Sequence, residues 1–110
     1  MIHLHRLIKQ LSKLIETNSV TNEVAAKDEE IIQACKRLVE EHGNNSDVSN
    51  RINLIFMAAN RMNRTTRGGM GMGHSGAFDY ELAMRDVQSM EKHIREIGEI
   101  LNIEFKETQS

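Results

Sequence analysis

Apolar side chains recur at helical spacing through four stretches of the chain, and no stretch keeps the two-residue alternation of a strand. In the first, Leu4, Ile8, Leu11 and Ile15 follow 4-3-4 spacing, with Leu7 and Leu14 widening the stripe. This predicts a helix over about Ile2 to Glu16, stopped by Thr17-Asn18-Ser19. The second stripe, Val24, Ile31, Cys35 and Leu38 flanked by Ile32 and Val39, predicts a helix from about Asn22 to His42, with Ser19 or Thr21 as its cap. Gly43-Asn44-Asn45 then offers residues that tolerate a left-handed helix end.

The third stripe places Val48, Ile52, Ile55, Ala59, Met62 and Thr66 on one face of a helix that starts after Ser46 or Asp47. In the fourth, Tyr80, Ala83, Val87, Met90, Ile94, Ile97 and Leu101 keep an unbroken 3-4 repeat behind a candidate N-cap at Asp79, ending near Asn102. The expected fold is all-α: one domain over residues 1–105, an antiparallel four-helix bundle with a Gly-rich loop between the third and fourth helices. Residues 106–110 read as a frayed polar tail.

Composition adds a constraint on the core. Three Phe, one Tyr and no Trp leave Ile, Leu and Met to fill it. A core this thin, together with a long heptad stripe that a second copy could match, predicts a homo-oligomer. The single cysteine, Cys35, lies on the second core stripe and rules out an internal disulfide. It reads as a packed thiol, because a reactive one needs an exposed cationic setting.

Charge is the most uneven property of the chain. The formal net charge is −2, yet none of the 16 acids lies between Asp47 and Asp79. That interval carries Arg51, Arg61, Arg64, Arg67 and His74, and five of the seven glycines. Within it the third helix has a second stripe, Asn53, Met57, Asn60, Arg64 and Arg67, opposite its core positions. An ordinary solvent face would carry Glu and Lys. Asn supplies donors and an acceptor, and Arg supplies a planar fork of five donors, a set suited to phosphate, carboxylate or a nucleobase edge. The same residue types also fill subunit interfaces.

The run Gly68-Gly69-Met70-Gly71-Met72-Gly73-His74-Ser75-Gly76 matches two phosphate motifs by letter. Gly68-x4-Gly73-His74-Ser75 follows the P-loop with His in place of its Lys, and Gly71-x-Gly73-x-x-Gly76 follows the dinucleotide fingerprint. Both require a preceding β-strand, and here a helix precedes, so neither family is assigned. The underlying physics still applies: glycines allow successive N–H groups to converge on an anion. Asp79 and Glu81 occupy the start of the fourth helix and would repel an anion there, which favours the side near Arg64 and Arg67. Met70, Met72 and Phe78 give the loop apolar groups that a plain linker lacks.

Other chemistry finds little support. His3 and His5 point in different directions on a helix, and no metalloenzyme motif is present, so no metal or cofactor is expected. Asp86, Glu91, Glu96 and Glu99 read as the solvated face of the fourth helix. No nucleophile–base pair can be assembled, so an enzyme is not expected. The acid-rich helices argue against extended nucleic acid. The chain has no membrane-length apolar run and no export-type N-terminus, and a cytoplasmic location is the simplest expectation.

The expected function is therefore a non-catalytic binding protein that captures a small phosphate-bearing ligand, for example by sequestering a signalling nucleotide. Asn53, Asn60, Arg61, Arg64 and Arg67 would contact it from the helix. Gly69, Gly71, Gly73, His74 and Ser75 would do so from the loop, with Tyr80 stacking on a base. The alternative is a small regulator or inhibitor that binds a partner protein through the Met/Arg loop and the third-helix stripe, and a third reading is a weak nucleic-acid binder.

Overall fold

The computed structural model describes residues 1–17, 21–68 and 80–105. These form four helices: α1 (Ile2–Glu16), α2 (Thr21–Glu41), α3 (Ser46–Gly68) and α4 (Tyr80–Leu101). Each helix packs on its neighbours in sequence, and α4 returns to pack on α1. The ring therefore closes as a four-helix bundle, with α1/α3 and α2/α4 as its diagonals. Arg51 meets Glu96 and Arg61 meets Asp86, so residue numbers rise along α3 as they fall along α4. Those two helices are antiparallel.

The core is the set of stripes read from the sequence. Leu4, Ile8 and Leu11 from α1, Val24 and Ile31 from α2, Val48, Ile52 and Ile55 from α3, and Met90, Ile94 and Ile97 from α4 are fully buried. Burying each such side chain contributes roughly 1.5–3 kcal/mol, which is what holds four otherwise marginal helices together. Cys35 is buried as expected, and Leu14, Val39 and Leu101 lie half-buried at the margins. Thr66 and Tyr80 have side chains outside the described residues.

Local chemistry sets the helix ends. The Thr17 hydroxyl donates to the Lys13 carbonyl at 2.9 Å and closes α1. The left-handed end expected at Gly43 is not formed: Gly43 does not adopt positive φ, and the turn is made by Asn45 N–H donating to the His42 carbonyl at 3.0 Å. Asn45 rather than Ser46 or Asp47 is the cap of α3, its Oδ1 accepting the Val48 N–H at 3.3 Å.

The left-handed residue is instead Asn102, with φ of 59°, at the end of α4. There Ile103 N–H reaches the Gly98 carbonyl at 2.8 Å and Asn102 N–H reaches Glu99 at 3.4 Å, the double closure of a Schellman end. The turn sends Phe105 back over Gly98. Its ring stacks on His5 of α1, with centroids 4.4 Å apart and planes 7° from parallel. Gly98 is required by this path, since a Cβ there would lie 2.6 Å from the Phe105 ring.

Candidate functional site

With its apolar stripe turned inward, α3 presents Asn50, Asn53, Leu54, Met57, Arg61 and Arg64 outward, and holds Asn60 half-buried. Beyond Asp47 in the first turn, α3 carries no acid on this face. Met57 is 59% exposed and Leu54 45% exposed. Asn53 also lines a shallow groove of about 340 Å³ between α2 and α3, beside Cys35, Val39 and Phe56. The fold thus places Asn53, Asn60, Arg61 and Arg64 on one side of one helix. From Asn53 to Arg64 they are spread over roughly 16 Å at 1.5 Å per residue. Arg67 belongs to α3 and Tyr80 opens α4, but their side chains lie outside the described residues. So do Gly69, Gly71, Gly73, His74 and Ser75.

Arg61 does more than face solvent. Its Nη2 donates to Asp86 Oδ1 at 2.5 Å, and its Nε reaches Oδ2 at 3.5 Å. The hydrogen bond and charge of Asp86 raise the guanidinium pKa further. Asp86 is not part of a solvated face, as its acidic neighbours suggested, but is 4% exposed. It follows Ala83 by three residues and precedes Met90 by four, so it rides the margin of the α4 heptad stripe and points toward the bundle. Arg61 closes over it.

A buried polar layer continues from this pair. Asn63 of α3, 8% exposed, donates through Nδ2 to the Ala25 carbonyl of α2 at 3.1 Å. One turn along α2, Asp28 is 0% exposed, and neither of its carboxylate oxygens has a hydrogen-bond partner among the described residues. Burial, and next the charge of Asp86, push its carboxyl up to about 8. A pKa there leaves it mostly protonated at neutral pH. The residue was visible in the sequence. In the α2 stripe the step from Val24 to Ile31 skips one position, and Asp28 fills it, spaced four from Val24 and three from Ile31.

Elsewhere, a cavity of about 360 Å³ opens between the start of α1 and the end of α4, at the opposite end of the bundle. His5, Lys9, Glu91, Arg95 and Phe105 line it with charges of both signs. The buried Cys35 thiol is pushed up to about 12 by desolvation, which keeps it un-ionised. Among the described residues no three His, Cys, Asp or Glu side chains cluster as metal ligands. No described helix is long and apolar enough to cross a membrane. Comparison with known proteins finds no family model, no curated protein and no solved structure that matches the chain.

Proposed function

We propose that the chain is a non-catalytic binding protein whose ligand surface is the outer face of α3, and that it takes a small phosphate-bearing, nucleotide-like ligand. The observation that carries this reading is a helix face with exposed Asn53 and Arg64, half-buried Asn60, and no acid of α3 beyond Asp47 in its first turn. Arg61 would contribute from the flank while remaining tied to Asp86. The ligand phosphate would sit toward the C-terminal end of α3. Helix carbonyls there carry partial negative charge, so Arg64 and Arg67 are needed to make the position attractive to an anion.

Thermal-shift measurement against mono-, di- and cyclic nucleotides tests it, because a ligand that binds only the folded chain raises its melting temperature. Arg64→Ala with Arg67→Ala should abolish the shift and leave the unliganded melting temperature within about 2 °C, as expected for surface changes. Absence of any shift across the set would count against nucleotide capture.

A second reading is favoured by the same face. Leu54 and Met57 are exposed beside Asn and Arg, the composition of a protein interface. A partner protein, or a second copy in a homo-oligomer, would cover them. A stoichiometric protein partner whose binding is lost in Met57→Asp would favour this reading over ligand capture.

A further inference from the structure

Asp28 occupies a position where the bundle packs apolar side chains on either side, Val24 one turn before and Ile31 one turn after. A carboxylate buried without a donor is among the most costly groups a core can hold, whereas the neutral acid costs far less. We propose that Asp28 is a proton-operated latch: α2 stays packed at this end of the bundle while the carboxyl carries its proton, and loosens there when the proton leaves.

Among the described residues, the surroundings give the ionised form no relief in place. From α4, Asp86 presents a like charge, and it is the charge that acts on Asp28. Arg61 of α3 is bonded to Asp86, and Arg64 stands exposed at the surface. On α2 itself, Lys27 is bonded to Gln10 of α1 and to Glu30, and Glu29 accepts from Gln33. From α1, Lys9, Lys13 and Glu16 lie on the exposed side of their helix. At the start of α4, Glu81 and Arg85 face each other in solvent at 3.9 Å. An ionised Asp28 therefore gains water only if the first turns of α2 move outward. The Asn63 bond to Ala25 is the contact that such a movement breaks first.

The latch is independent of any ligand on α3. Two measurements on the unmodified chain test it: the carbon-13 titration of the Asp28 carboxyl, and amide hydrogen-exchange protection compared at pH 6 and pH 9 after correction for intrinsic exchange. The expected result is a titration midpoint near the value set by burial rather than near 4. Protection over residues 22–31 should fall by roughly a hundredfold between the two pH values if the opened carboxyl is fully hydrated. Residues of α1 should show a much smaller change. Asp28→Asn, which keeps the shape without the titration, should abolish the difference. An Asp28 midpoint near 4, or an equal loss of protection in α1 and α2, overturns the latch without recourse to a variant. An unchanged pH response in Asp28→Asn does so as well.

Discussion

Arg61 of α3 and Asp86 of α4 form a pair in which the acid is buried and the base covers it from outside. The asymmetry makes the two residues unequal. Arg61→Ala leaves a carboxylate inside the bundle with its charge-assisted hydrogen bonds removed, and should cost about 1–3 kcal/mol. Asp86→Ala removes the buried charge and releases a cation that can already reach water, so it should cost less. Urea denaturation of the two single variants and the double variant measures this, with the double close to Asp86→Ala alone. Equal costs for the two single variants would show that Asp86 is hydrated.

Asp28 gives stability an unusual dependence on pH. Its folded pKa, about 8, lies above the ordinary value of 3.8. The folded chain therefore binds more protons than the unfolded one between those limits. Its contribution is fully present below about pH 4, declines as pH rises, and is gone above about pH 8. Denaturation at pH 5, 7 and 9 should show a fall on the order of a few kcal/mol from this group. Asp28→Asn should flatten that fall and be the more stable chain at pH 9.

The Cys35 thiol, buried and held at about 12, should be inert. A thiol-specific reagent at pH 8 should label it only when the chain is unfolded, since the thiolate is the reacting form. Labelling of the native chain at a rate independent of denaturant would place the thiol at the surface.

Gly98→Ala sets helix propensity against packing. Alanine stabilises a helix interior by about 1 kcal/mol relative to glycine. Here, however, its Cβ would meet the Phe105 ring at 2.6 Å and the Ile103 carbonyl at 3.1 Å. The ring should leave His5, and the variant should be destabilised despite the better propensity. In a Phe105→Ala background the same substitution should be far less costly. That difference, read from melting temperatures, isolates the contact with the ring.

Leu54 and Met57 bear on assembly. If copies of the chain associate through the outer face of α3, Leu54→Glu with Met57→Glu should leave far-ultraviolet circular dichroism unchanged and convert the assembly to monomers in light scattering. A native chain that is already monomeric at micromolar concentration contradicts the oligomer.

Helix positions were legible because periodicity reports burial directly: each stripe from Leu4 to Ile97 is the face that the bundle covers. Ends were less legible, because Gly43 and Asn102 are both residues that accept a left-handed turn, and which one adopts it depends on what the following chain packs against. The outer face of α3 could be read in outline, with Asn53 and Arg64 exposed on it. Asp28 and Asp86 are poorly legible in the sequence for one reason. Spacing puts Asp28 on the core stripe of α2 and Asp86 at the margin of the α4 stripe, while their charge suggests solvent, and here spacing is the stronger indicator.

The Phe105 hook over Gly98 joins the end of α4 to the start of α1, the two elements farthest apart in the chain. Neighbouring helices close short loops and can pair early, whereas this seam closes the longest loop in the fold. During synthesis α1 must therefore wait, its Leu4–Ile8–Leu11 stripe without its α4 partner, until the ribosome has released Phe105. A nascent chain arrested before that point is the species that a chaperone, or another unfinished copy, would bind.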